Sequence, residues 1–149
     1  MVDYNILWIE DDADQIYSLV QPLVDSGCKI SIAKDYENAK RMNNEFKYDV
    51  IILDIIIPSG KKCTTIEEMI ALQKEGHFGV KFLEDLPADS PPIVVLTVVN
   101  DETISNNILK FPQVVKIIVN KGMIRPSELK KIILNVINKE ADENALIKG

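Results

Sequence analysis

Five apolar segments alternate with amphipathic segments along the chain. The segments 4–9, 29–33, 49–58, 93–97 and 114–119 are rich in apolar and β-branched residues, and three of them contain uninterrupted apolar runs, at 6–9, 50–53 and 93–96. Between them, apolar residues recur at helical spacing. Strands without polar positions are typical of a parallel sheet that is covered on both faces. The pattern therefore predicts an α/β fold, a flavodoxin-like doubly wound sheet of five parallel strands in the order 2-1-3-4-5 with helices on both faces.

Acidic residues mark the predicted starts of the first two helices. Asp12 or Asp14 can cap the first helix. Asp35 is expected to cap the second helix, whose inner face is predicted to consist of Ala39, Met42 and Phe46.

The alternation is interrupted after Pro58 by a polar loop. Thr65 and Glu68 have the spacing of a capping box and predict a short helix, which Gly76 is expected to close. We therefore predict one domain over residues 1–141, in which 59–76 is an inserted loop and short helix. Residues 142–149 are predicted to be a flexible tail.

Composition argues against several classes of function. The chain of 149 residues is long enough for one core, and its net charge of −6 argues against the basic face that nucleic-acid binding requires, although a small basic patch is compatible with it. No apolar run reaches membrane-spanning length, and no signal-peptide pattern begins the chain. Cys28 and Cys63 lack metal-ligand spacing, and His77 is the single histidine. We expect a cytoplasmic protein with reduced thiols and without membrane or nucleic-acid partners.

Polar residues stand at the carboxyl ends of four predicted strands: Glu10 and Asp11, Asp54, Thr97 and Lys121. These ends meet at one edge of a parallel sheet, where ligands bind. Three neighbouring carboxylates repel one another unless a hard cation such as Mg²⁺ joins them. A lysine and a hydroxyl beside them match the oxygens of a phosphoryl group, and a carboxylate can itself accept that group. The set predicts phosphoryl chemistry at this edge.

The same segments resemble the receiver domain of two-component response regulators. The resemblance rests on Ile6–Asp12, Ile51–Pro58, Val94–Thr97 and the strand end at Lys121, and it extends over nearly the whole chain. It implies a signalling module that a histidine kinase or a phosphotransfer protein phosphorylates. Such a module acts through contacts with a downstream protein and catalyses at most its own phosphorylation and dephosphorylation. Because no effector segment follows, a stand-alone receiver is expected.

The resemblance also implies a role for each site residue. Asp54 would be the phosphoacceptor, and Thr97 and Lys121 would contact the phosphoryl oxygens. Asp11, Asp54 and the backbone carbonyl of Ile56 would bind Mg²⁺ directly, with Glu10 acting through water.

The sequence departs from the family pattern at several positions. The glycine that usually follows the third strand closely is expected within 77–80, which makes 59–76 an insertion, either a tolerated surface loop or a lid or partner surface. Val98 replaces a small residue, Ile118 replaces an aromatic switch residue, and Gly122 replaces a proline. Ile56 and Val99 stand where receivers commonly hold the hydrolytic water, which implies a long-lived phosphorylated state.

Two other functions fit parts of the pattern. A receiver-fold interaction module would signal by contact without phosphorylation, using the insertion. A Mg²⁺-dependent phosphohydrolase of the haloacid dehalogenase type would require a second aspartate two residues after the first, where this chain has Ile56.

Overall fold

The structure is a computed structural model that describes residues 3–75, 78–99 and 101–148. Strands and helices alternate along these residues. In chain order they are β1 (Asn5–Ile9), α1 (Ala13–Asp25), β2 (Lys29–Ala33), α2 (Tyr36–Glu45), β3 (Val50–Leu53), α3 (Ile66–Glu75), α4 (Phe78–Glu84), β4 (Ile93–Thr97), α5 (Glu102–Ile108), β5 (Val114–Asn120) and α6 (Pro126–Lys148).

The five strands form one sheet in the order β2-β1-β3-β4-β5, and every neighbouring pair is parallel. This confirms the predicted fold class and strand order. The carboxyl ends of β1, β3, β4 and β5 therefore lie along one edge of the sheet. Two of these strands, β3 and β4, are buried at every position, as expected for strands covered on both faces.

Each face of the sheet carries its own apolar core. Helices α1 and α6 cover one face, and their inward residues include Ile16, Leu23, Leu129 and Ile133. Helices α2, α4 and α5 cover the other face, with side chains such as Ala39, Phe82, Leu83 and Ile108. Helix α3 contributes no residue to either core within the described part of the chain.

The third strand is shorter than the apolar run that predicted it. Strand β3 ends at Leu53, and the chain then leaves the sheet. Ile55 and Ile57 remain buried in the loop, whereas Ile56 is 48% exposed. Ile55 and Ile57 are apolar because the loop packs against the core, so an apolar run does not by itself show that a strand continues.

Two helix-end predictions were right in part. The Asp35 side chain accepts the amide of Asn38 at 2.7 Å and caps α2 as predicted. Phe46 was predicted on the inner face of α2, and this is wrong: the helix ends at Glu45, Phe46 is extended, and its side chain is 58% exposed. Asp12 stands at the N-cap of α1 but its side chain makes no capping bond, because its backbone is not extended.

The inserted segment contains a helix that faces solvent. Thr65 Oγ1 accepts the amide of Glu68 at 3.2 Å, which confirms half of the predicted capping box. The side chains of Ile66, Met69 and Ile70 are 71%, 53% and 47% exposed. Gly76, which was expected to close the helix, lies outside the described residues.

The last helix continues beyond residue 141, where the domain was predicted to end. Helix α6 runs to Lys148, through most of the segment that was predicted to be a flexible tail; that flexibility remains a prediction. None of the helices in the described part of the chain is both long and apolar enough to cross a bilayer.

Candidate functional site

Backbone pairing places two carboxylates at the carboxyl edge of the sheet. The amide of Asp54 donates to Ile9 O at 3.0 Å, and the amide of Glu10 donates to Ala33 O at 2.9 Å. The parallel ladder thus extends by one residue beyond each strand and holds both side chains beside each other. Both are buried, with 1% exposure for Glu10 and 3% for Asp54. Two buried carboxylates require compensation by donors or cations.

Lys121 supplies that compensation from the end of β5. Its amide donates to Thr97 O at 3.1 Å, which fixes the residue beside the end of β4. Its Nζ lies 2.7 Å from Asp54 Oδ2 and 3.0 and 3.1 Å from the two carboxylate oxygens of Glu10. The lysine side chain is 12% exposed. One ammonium therefore bridges two buried carboxylates.

The second oxygen of Asp54 is held by neutral donors. The Thr97 hydroxyl donates to Asp54 Oδ1 at 2.9 Å, and the Ile56 amide donates to the same oxygen at 3.1 Å. The Val99 amide in turn donates to Thr97 Oγ1 at 3.3 Å and orients the hydroxyl. Asp54 therefore accepts from three groups that belong to three different segments of the chain.

The charges of this cluster are coupled. Burial and the neighbouring Asp54 raise the pKa of Glu10 to about 7, although Lys121 opposes the shift. Burial would raise the pKa of Asp54, but its interactions with Glu10, Lys121 and Thr97 outweigh burial and lower that pKa. Burial likewise disfavours the Lys121 ammonium, yet Asp54 and Glu10 raise the lysine pKa. Asp54 is thus the carboxylate that stays ionised.

The same edge offers a set of oxygen donors for a cation. Carboxylate oxygens of Glu10, Asp11 and Asp54 lie within 4.8 Å of one another, and Asp11 is exposed. Acidic oxygens with access to water are the donors that Mg²⁺ prefers. The donor set therefore fits Mg²⁺. The Ile56 backbone lies next to it, since its amide contacts Asp54; a role for its carbonyl as ligand remains a prediction.

The side chains predicted from strand ends form one hydrogen-bonded cluster, which contains Glu10, Asp54, Thr97 and Lys121. Asp11 lies beside this cluster and is exposed. The sequence reasoning missed the amides of Ile56 and Val99 as donors, because backbone groups leave no signal in residue identity. Gly79 also borders the site: its amide donates to Ile55 O at 3.0 Å. A Cβ at Gly79 would lie 2.6 Å from Asp54 O. This close approach explains the glycine that the sequence predicted within 77–80.

Apolar side chains surround the mouth of the site. Ile56 and Val98 are 48% and 54% exposed, and Val99 packs partly buried against the core. Ile118, at the position of the expected aromatic, is partly buried and pairs with Val95 beside an irregularity in the β4–β5 register. The rim of a polar site is therefore apolar here.

Comparison with curated proteins gives one partial relative. A probable transcriptional regulator from Porphyra purpurea is 29% identical over 82 residues, which cover 55% of this chain and 39% of the relative. The matched part thus spans about two fifths of that protein. No protein-family model matches the sequence.

Solved structures show the same fold over nearly the whole chain. The signal receiver domain of a LuxO repressor protein from Vibrio parahaemolyticus aligns with a TM-score of 0.72 at 18% identity, covering 99% of both chains. A CheY-like receiver domain protein from Methanospirillum hungatei aligns with a TM-score of 0.73 at 16% identity, covering 95% of this chain and 99% of its own. A two-component response regulator from Clostridium difficile gives 0.70 at 21% identity, covering 92% and 98%. The chain has the fold of response regulator receiver domains.

Proposed function

We propose that this chain is a phosphoacceptor receiver that takes a phosphoryl group on Asp54 in a Mg²⁺-dependent reaction. The donor would be a phosphohistidine of a histidine kinase or phosphotransfer protein. The observation that carries the proposal is the meeting of Asp54, Lys121 and Thr97 with two further acids at one sheet edge. The phosphorylated chain would signal through contacts with a downstream protein in the cytoplasm.

The Asp54 carboxylate is suited to be the nucleophile. Its pKa is lowered because the donors around it outweigh burial, so it is ionised at neutral pH. One of its oxygens would attack the phosphorus of the donor. A P–O bond would form as the P–N bond breaks, and the histidine nitrogen would leave with the electron pair and take up a proton.

Thr97 and Lys121 would change partners during the reaction. In this structure they donate to the two different oxygens of Asp54. The attacking oxygen becomes the bridging oxygen of an acyl phosphate and loses its charge, whereas the phosphoryl oxygens bring new charge to the same place. We expect both donors to turn toward the phosphoryl group, where a point charge and a hydroxyl stabilise it.

Mg²⁺ would be held directly by Asp11, Asp54 and the Ile56 carbonyl, and by Glu10 through water. When bound, it would neutralise charge on the phosphoryl oxygens. Asp11 is exposed and makes no hydrogen bond through its side chain within the described residues, so Asp11→Ala should remove metal binding without unfolding the chain. Calorimetric titration with Mg²⁺ measures this, and the fluorescence of Trp8, the single tryptophan, gives a second reading.

Intact-mass spectrometry tests the main proposal. With acetyl phosphate or phosphoramidate and Mg²⁺, wild type should gain the mass of one phosphoryl group, and Asp54→Asn should gain none. Asp14→Asn is the matched control, because Asp14 is an exposed aspartate in the first turn of α1. Modification of the Asp54→Asn protein at another residue would contradict the assignment.

A contact-based module that acts without phosphorylation is the second candidate. The exposed apolar face of α3 favours it, since such a face can bind a partner whatever the state of Asp54. It predicts that wild type takes up no phosphoryl group under the conditions above. A phosphohydrolase has less support, because Ile56 occupies the place of its second aspartate.

A further inference from the structure

Helix α3 stands apart from the two apolar cores of the domain. None of its described residues belongs to either core. Its capping bonds are internal to the insertion: Thr65 Oγ1 accepts the amide of Glu68, and a Glu68 carboxylate oxygen accepts the amide of Thr64 at 3.2 Å. No salt bridge among the described residues involves the segment 61–75. The helix can therefore change its position without disturbing either core or breaking an ion pair.

The chain enters the insertion at a fixed point. The carbonyls of Pro58 and Ser59 accept the amides of Tyr36 and Glu37, at 2.9 and 3.0 Å, at the start of α2. Helix α2 follows the carboxyl end of β2, so this point lies at the same edge of the sheet as Asp54. Movement of the insertion therefore begins after Ser59.

The chain leaves the insertion at a second fixed point, beside Asp54. The amide of Gly79 donates to Ile55 O at 3.0 Å, one residue after Asp54. Phe78, which begins α4, follows the last residue of α3, Glu75, by three positions, so their Cα atoms lie within about 11 Å of each other on any path. The 10 residues of α3 span about 15 Å. Helix α3 is therefore tethered close to the site and is long enough to lie across it.

One side of α3 is apolar and exposed. Ile66, Met69 and Ile70 lie three and four residues apart, so they share one side of the helix, which we call the apolar face of α3. All three side chains are exposed to solvent. A contiguous exposed apolar patch commonly marks a contact surface.

The mouth of the Asp54 site carries a second exposed apolar set, which we call the rim. Its members each follow a residue of the site by one or two positions: Ile56, Val98 and Met123. Met123 is 80% exposed, and its amide donates to Asn120 O at 3.1 Å in the turn after β5. The carboxyl ends of β3, β4 and β5 lie along one edge of the sheet, so the rim borders the buried Asp54.

We propose that α3 is a lid, which closes over Asp54 by packing its apolar face against the rim. Both surfaces are withdrawn from water in the closed position, and this burial drives the closure. The tethers hold the two surfaces at an effective concentration on the order of millimolar, so a separate partner competes for either surface only at a comparable concentration.

The lid regulates the phosphorylated state, and this consequence rests on the function proposed above. In the structure the apolar face and the rim are both exposed, so the lid is open and the mouth is uncovered for a phosphodonor protein. In the closed position, the acyl phosphate on Asp54 is covered by side chains that offer no hydrogen bond to water. Exclusion of water slows hydrolysis.

Pairs of cysteines test the closure directly and without phosphorylation. In a Cys63→Ser background, Met69→Cys is combined with Val98→Cys or with Met123→Cys, and the oxidant diamide is added at low protein concentration. A disulfide requires Cα atoms within about 7 Å of each other, so it forms when the apolar face of α3 reaches the rim. Ala71→Cys with the same partners is the matched control. Ala71 is also exposed but lies on the other side of α3, because helical residues advance by about 100° each.

At least one Met69 pair should form an intramolecular disulfide at least about tenfold faster than its Ala71 control, because docking raises the effective concentration of the two thiols. Mass spectrometry identifies the linked peptides, and non-reducing gels separate links within one chain from links between two chains. Cys28 stays in every variant because it is buried. Equal rates for the Met69 and Ala71 pairs, or no link in either Met69 pair, would overturn the proposal. Links between chains alone would also overturn it and would assign the apolar face to a second copy.

Decay of the phosphoprotein after removal of the donor tests the consequence. Replacing Met69 and Ile70 together by Gln makes the apolar face polar at exposed positions, and it should speed decay about threefold to tenfold. Ala71→Gln, the control, should decay like wild type. Unchanged decay in the double variant would show that α3 does not protect the phosphoryl group. If wild type takes up no phosphoryl group, the proposed function fails, while the cysteine pairs still decide whether the lid closes.

Discussion

A single methyl group at Gly79 should damage both the stability and the chemistry of this protein. A Cβ built there would lie 2.5 Å from Ile55 Cα, 2.6 Å from Asp54 O and 2.8 Å from Ile55 O. All three are backbone atoms, so no side-chain rotation can relieve the contact. Either α4 moves away from the loop that follows β3, or that loop moves and carries Asp54 with it.

The size of the effect follows from opposing terms. Alanine in place of glycine favours a helix by at most about 1 kcal/mol, and by less here because Gly79 lies in the first turn of α4. Overpacking of a tight site costs roughly 1–3 kcal/mol. Movement also weakens the hydrogen bond from the Gly79 amide to Ile55 O, which contributes about 1 kcal/mol. We expect Gly79→Ala to lower the free energy of unfolding by about 1–3 kcal/mol.

Urea unfolding measures the loss, and phosphorylation of Asp54 under the conditions above measures the displacement. Gly122→Ala is the matched control, because a Cβ there would meet only Asn120 Oδ1, at 3.5 Å. The control should stay within about 0.5 kcal/mol of wild type. If Gly79→Ala is as stable as the control and accepts phosphate at the wild-type rate, the close approach does not constrain the site.

Three further predictions concern charge, water and the insertion. With EDTA present to keep metal off the site, the free energy of unfolding should fall by on the order of 1–3 kcal/mol as the pH rises from about 4.5 to about 7. The reason is that folded Glu10 retains a proton in this range, whereas the unfolded chain releases it. Urea titrations of the Glu10→Gln variant should not show this dependence of stability on pH. Replacing Ile56 by Asn and Val99 by Glu should speed the decay of phospho-protein after the donor is removed, about tenfold for each 1.4 kcal/mol of barrier, and equal decay rates would mean that other groups control water. Beryllofluoride, which mimics the phosphoryl group on Asp54, should change amide hydrogen exchange within the insertion 59–76, as measured by comparing the protein with and without it. Changes confined to 104–118 would show that the insertion does not transmit the signal of phosphorylation.

The fold was predictable because its signals are local and repeated. Strands β2 and β4 begin and end where the apolar pattern placed them. Parallel pairing and crossover rules then leave few sheet orders, so the predicted order was correct. The end of β3 was not predictable, because Ile55 and Ile57 are as apolar as strand residues but pack from a loop. The type of a residue therefore predicts whether its side chain is buried better than it predicts the secondary structure of its backbone.

The site was predictable as a set of side chains but not as a network. Strand ends place Glu10, Asp54, Thr97 and Lys121 at one edge, which follows from topology alone. Topology does not determine which donor contacts which oxygen. Lys121 bridges the two carboxylates, and Thr97 donates to the remaining oxygen of Asp54. The choice of partner depends on differences of a few tenths of an ångström between these distances, which arise from packing around the sheet.

Phe46 shows how the position of a helix end can defeat a predicted apolar face. Apolar spacing along α2 placed it in the core with Ala39, and a pattern cannot show that the helix ends one residue too early for that. Once the backbone is extended at Phe46, its ring faces a cleft beside Asp89 instead of the sheet. An exposed phenylalanine forgoes the roughly 1.5–3 kcal/mol that burial would contribute, as do other exposed apolar side chains such as Tyr17 and Met123. The prediction failed on the position of the helix end and not on the apolar character of the residue.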